Sequence, residues 1–196
     1  ENAHYSLGRF GVNEEDEEGA MEADDDDNLL KYAQTIVVQL TVPKGARRWS
    51  LNICPKDDKN LSDVFLHVNP RYKKQKLHLN DKQGTWGQGQ EIPMKHSKAN
   101  SKNRGDGLLS SDVELMINIT RKAFVCYANG MCVGIFPHRR DLRKHTELSL
   151  VLGRTDDNGV VEDAVFRTVW WGYWNPRSHY LKYVFCYTIV LPPFLV

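Results

Sequence analysis

Short runs in which apolar and polar residues alternate recur from Thr35 to Trp174, and no segment carries a sustained apolar stripe at the helical period. TIVVQLTV (35–42) is β-branched and stops at Pro43-Lys44-Gly45, a strand followed by a turn. RRWSLNICP (47–55) follows, with Trp49, Leu51 and Ile53 on one face. SDVFLHVNPRY (62–72) sets Val64, Leu66 and Val68 against Phe65, His67 and Asn69. VELMINIT, AFVCYANGMCVGIFPH, TELSLVLG and AVFRTVWWGYW continue the pattern, and Asn129-Gly130 is a strong signal for a type I′ hairpin. HRRDLRKH has room for one helical turn at most. Many short strands at regular spacing predict an all-β, antiparallel sandwich.

Within that framework one surface stands out. As a strand, HVNPR puts His67, Asn69 and Arg71 on one face, because side chains alternate with period two. LHLN gives His78 and Asn80 a shared face of the next strand, and Trp86 follows it. Pro70 cannot donate a ladder hydrogen bond, so it predicts an edge, bulge or strand end beside Asn69 and Arg71, and hence a surface site. Trp86 sits in a Gly-Thr-Trp-Gly turn, which favours exposure, whereas Trp49, Trp170 and Trp171 lie in apolar strands and read as core. A polar floor with one flat aromatic wall suits a ligand with many hydroxyls and one C–H face, a sugar.

Charge divides the chain. Residues 1–27 hold 11 of the 25 acidic residues and one basic residue, Arg9, which leaves 25 basic against 14 acidic residues in the rest. The acidic stretch lacks the apolar content to offset ordering entropy, so residues 1–33 are expected to be a disordered segment ahead of a domain over 34–172. Residues 173–196 read as an apolar extension; its last 14 residues carry no charged side chain but are too few, and broken by Pro192-Pro193, for a membrane helix. The basic loop 95–107 reads as solvated, and no nucleic-acid binding is expected. Cys54, Cys126, Cys132 and Cys186 match no zinc or redox spacing and read as buried free thiols. There is no metal-ligand cluster and no carboxylate pair placed across a cleft, which argues against an enzyme and against a cofactor. Two glycosylation sequons occur, at Asn60 and Asn118.

The ordered pieces RRWSLNI, DVFLHVNPRY, LHLN, Trp86-Gly87, Ile92-Pro93, VELMINIT, the ANG hairpin, GIFPHR and ELSLVLG together resemble the galectin family, the β-galactoside-binding lectins. The resemblance covers about Thr35 to Gly172. It implies a jelly-roll β-sandwich of two antiparallel sheets with the sugar site on one of them. It also implies that His67, Asn69 and Arg71 hydrogen-bond galactose and the adjacent sugar, that Asn80 contacts the galactose hydroxymethyl, and that Trp86 stacks on the ring. Arg139 matches a structural arginine. One departure concerns the second sugar. Where the family reads WGxExR this chain reads WGQGQE, so Gly89 stands at the glutamate position, Glu91 at the arginine position, and no arginine or lysine accompanies Glu91. His78 replaces a usual valine and is placed to refill part of that subsite.

The resemblance implies glycan or glycoprotein partners, no metal, residence in the cytoplasm and/or outside the cell without a signal peptide, and pairing through sheet edges or termini, which leaves a homodimer open. Two other readings stay open at this point. The domain could be the targeting module of a larger enzyme such as a glycosyltransferase. It could equally be a sandwich interaction domain that has lost sugar binding.

Overall fold

The computed structural model describes residues 3–9, 34–56, 58, 61–94, 107–142, 147–152, 164–174 and 181–185. They form thirteen strands: β1 (Ala3–Arg9), β2 (Gln34–Thr41), β3 (Leu51–Pro55), β4 (Asp63–Arg71), β5 (Lys76–Gln83), β6 (Thr85–Trp86), β7 (Gln90–Pro93), β8 (Asp112–Ile119), β9 (Ala123–Ala128), β10 (Met131–Pro137), β11 (Glu147–Leu152), β12 (Val165–Trp174) and β13 (Leu181–Phe185). Among the described residues the only helical pieces are two three-residue 3-10 turns, Tyr72–Lys74 and Gly107–Leu109, and none is long and apolar enough to cross a membrane.

One sheet runs β1-β11-β3-β4-β5-β6, with β7 also on β5; the other runs β10-β9-β8-β2-β12-β13. Every pairing is antiparallel. The expected sandwich is therefore present. Its core interleaves Trp49, Leu51, Ile53, Leu66, Val68, Leu77 and Leu79 of the first sheet with Ile36, Val38, Leu40, Leu115, Ile117, Phe124 and Phe136 of the second. Each large apolar side chain buried this way contributes roughly 1.5–3 kcal/mol. Trp49 anchors the layer: its Nε1–H donates to Tyr72 Oη at 2.7 Å, and its ring meets Phe166 edge-on at 6.2 Å. The β9–β10 hairpin turns at Asn129-Gly130, both with positive φ (48° and 74°), as type I′ geometry demands.

Four expectations need correction. Residues 1–33 are not wholly without structure, since Ala3–Arg9 pairs with β11 as an added edge strand. The extension after 172 also joins the fold: β12 runs to Trp174, and β13 lies along its open edge. Pro70 does stand at a strand end, one residue before β4 stops, where it pairs with Leu77; the irregularity of β4 falls elsewhere, between Val64 and His67. That bulge turns Phe65 into the core beside Leu66 and leaves Val64 in a small cluster with Cys54, Leu61 and Val151. Finally, Cys54 and Cys126 are buried free thiols, but Cys132 is exposed. Trp171 packs against the core, while Trp170 is only half-buried. Asn118 lies inside its sheet, fully buried, its Oδ1 accepting from Thr35 Oγ1 at 2.9 Å. Asn60, the 95–106 loop, the bulk of the acidic stretch and Cys186 lie outside the described residues.

Candidate functional site

The bulge in β4 resets the alternation so that His67, Asn69 and Arg71 all face away from the core. Antiparallel register then assembles a grid on the outward face. Arg48, Arg71 and Lys76 stand in one row; Asn69, His78 and Glu91 form the next; Asn52, His67 and Asn80 the third; Lys82 and Trp86 the last. The five residues expected at a sugar subsite, and both expected helpers, His78 and Glu91, are brought together. Asn52, Lys76, Lys82 and Arg48 join them.

The floor is tightly held. His67, Asn69 and Asn80 are only 4–5% exposed, so the expected surface site is a nearly closed floor beneath more open neighbours. His67 Nδ1 lies 2.7 Å from Asn52 Oδ1. With an amide oxygen facing it, Nδ1 carries the ring proton and Nε2 is left as an acceptor. Burial, followed by His78, Arg71 and Arg48, pushes the His67 pKa down to about 3, so the ring is neutral. Each end of the Asn69 amide makes one bond within the protein, which leaves one N–H and one lone pair over. Its Nδ2 donates to the Trp49 carbonyl (3.0 Å) and its Oδ1 accepts from Arg71 Nε (3.0 Å), which aims the rest of the guanidinium outward. Asn80 Nδ2 donates to the Gly87 carbonyl at 3.1 Å, while Asn80 Oδ1, Asn52 Nδ2 and His78 Nδ1 have no hydrogen-bond partner.

Trp86 forms the wall. It is 42% exposed, tilted against His67 at 4.8 Å between ring centroids, with Lys82 Nζ 5.7 Å from its ring. The turn behind it is pinned by Arg139, whose Nη1 bonds Asp81 Oδ1 (2.6 Å) and whose Nη2 bonds the Gln88 carbonyl (2.5 Å). A Cβ at 87 would stand 2.6 Å from Asp81 Oδ1 and 2.8 Å from Arg139 Nη1, so a side chain there would push this ion pair aside. Arg139 thus acts through the turn, as expected of a structural residue.

At the Arg71 end of the grid, charges meet that the departure in WGQGQE left unassigned. Glu91 Oε1 is 3.5 Å from Arg71 Nη1 and Glu91 Oε2 is 2.5 Å from Lys76 Nζ. The cation that the segment lacks comes from the neighbouring strand. The His78 imidazole fills the space into which a side chain on Gly89 would project. Lys76 escaped sequence reading because its proximity follows only from the β4–β5 and β5–β7 registers. Asn52 could have been found: Trp49, Leu51 and Ile53 share one face, so Asn52 must take the other.

Among the described residues no group of three metal-ligating side chains comes together. A two-sheet sandwich presenting an ordered polar face beside an exposed tryptophan is the architecture of a lectin domain. The galactoside-binding lectin family model matches residues 26–154. The chain belongs to this family, the galectins. A toad ovary galectin solved in complex with thio-digalactose superposes with a TM-score of 0.52 at 14% identity, covering 87% of this chain and 97% of that one. A double mutant of congerin II gives 0.51 at 17% identity, covering 87% and 99%. At these identities the likeness is one of fold. Comparison with curated proteins finds no matching relative.

Proposed function

We propose that the chain binds β-galactosides on this outward face, by recognition without turnover, with galactose over His67, Asn80 and Arg71 against Trp86. The observation that carries the reading is the in-register polar grid closed on one side by an exposed indole. The chemistry of the side chains supports each role. His67 Nε2 accepts from a sugar hydroxyl, and the Arg71 fork, aimed by Asn69, donates to ring and hydroxyl oxygens. Asn80 Oδ1, without a partner in the protein, accepts from the hydroxymethyl group. The Trp86 face covers the apolar C–H patch of the ring and rejects epimers that place a hydroxyl there. For this, Trp86 must part from His67, since the two rings now lean on one another. The second sugar lies over Arg71, Glu91 and Lys76, with His78 as its neighbour. The toad galectin's binding of thio-digalactose agrees with this ligand class.

Titration with lactose, followed by calorimetry and tryptophan emission, tests the proposal. Trp86→Ala should weaken binding by at least about tenfold and leave the melting temperature unchanged, because the indole is exposed. Survival of binding in the variant removes the stacking role. A folded wild-type protein that binds no galactoside overturns the function.

A further inference from the structure

The first row of the grid is unusual for a sheet. Arg71 and Lys76 are direct cross-strand neighbours on β4 and β5, Arg48 faces Arg71 in an isolated bridge ahead of β3, and like charges directly opposite one another destabilise a sheet. Lys73 and Lys74 lie on the 3-10 turn that links the strands bearing Arg71 and Lys76. Against these cations, Glu91 is the only carboxylate in the four rows, and it is shared between Arg71 and Lys76. The row's field reaches the rest of the site. After desolvation, Arg71 and Lys74 depress the His78 pKa against the opposing pull of Glu91. Lys76 chiefly, with Lys74 and Arg71, lowers that of Glu91. A neutral disaccharide does nothing to relieve this repulsion, whereas an anion on the ligand would be attracted by every member of the row.

We propose that the preferred ligand is a galactoside bearing an anionic group, a sulfate ester or a carboxylate, held over Arg48, Arg71, Lys76 and Lys74. This rests on the galactoside reading above and adds a charge requirement to it. The polar rows select the sugar, and the cationic row selects its modification.

The test uses the intact chain and four probes: lactose, lactose sulfated on galactose, lactose sulfated on glucose, and sialylated lactose. At low ionic strength at least one charged probe should bind about tenfold more tightly than lactose, and the advantage should shrink to about twofold at roughly 0.5 M salt, where screening acts within about 4 Å. The sulfated and sialylated arms separate sulfate from carboxylate, and a gain in either supports the proposal. Lys74→Gln, an exposed substitution on the turn, should leave lactose affinity unchanged and cut the charged ligand's advantage two- to threefold; adding Arg48→Gln should reduce it further. Charged probes that bind no better than lactose overturn the anion requirement while the galactoside reading stands. Loss of lactose binding itself overturns that reading and this one with it. An advantage that persists undiminished in Lys74→Gln/Arg48→Gln shows that the row does not read the charge, and overturns the assignment.

Discussion

Acid should unfold this protein through His67, and the size of the effect follows from the geometry. Burial and nearby cations hold the folded-state pKa at about 3, against 6.5 for an ordinary histidine. The unfolded chain therefore takes up a proton that the folded chain refuses. Stability is complete above pH 6.5 and is lost as pH falls toward 3. One pH unit in that window costs about 1.4 kcal/mol for one such group, so acidifying from pH 6.5 to about pH 5 should cost roughly 2 kcal/mol. His78 and His138 are also depressed, chiefly by burial, and act in the same direction. His67→Gln isolates the term of interest, because glutamine offers an amide N–H to Asn52 Oδ1 and does not titrate. Urea unfolding of both proteins at about pH 7, 6 and 5 should show the wild type losing roughly 2 kcal/mol more than the variant over that range. Staying above pH 5 keeps the carboxylates out of the comparison. Parallel curves would show that His67 protonates normally in the folded state, and the neutral acceptor assigned to Nε2 would go with it.

Two further outcomes follow from contacts away from the polar floor. Arg139→Ala should lower stability by about 1 kcal/mol, a figure discounted for a side chain 39% exposed. It should also weaken lactose binding several-fold without touching sugar, by releasing the Gln88 carbonyl and the turn that carries Trp86; calorimetry showing unchanged affinity would disconnect the two. Of Cys54, Cys126 and Cys132, only Cys132 should react with a maleimide in the native protein, because burial pushes the other two thiols up to about 12. Peptide mapping that finds Cys54 labelled without denaturant contradicts the packing.

The sandwich, its hairpin at Asn129-Gly130 and the outward set His67, Asn69 and Arg71 were legible because each depends on local period or turn chemistry. Phe65 was not, since the bulge that rotates it into the core depends on how β4 meets β5. Lys76 was invisible for a related reason. It is fifteen residues from Glu91, and only the strand registers make them neighbours. β1 and β13 were missed because composition marked their surroundings as acidic or merely apolar, and edge pairing is a property of the strand they join. Asn69 holds Arg71 through its Oδ1 and the Trp49 carbonyl through one Nδ2–H, a positioning part that the strand alternation did not announce, and it keeps a second N–H and a second lone pair for the sugar contact expected of it.

The burial of Asn118 has a practical consequence for making the protein. The tripeptide Asn-Ile-Thr is an acceptor for glycan transfer only while the chain is open, and in the finished sheet its amide is sealed beneath Thr35. In a host that glycosylates nascent chains, folding and modification compete for the same side chain. A glycan attached first would occupy the space where β2 must close on β8. Production in a bacterial cytoplasm removes that competition, and a single gene would then give a uniform product instead of a mixture of folded and trapped chains.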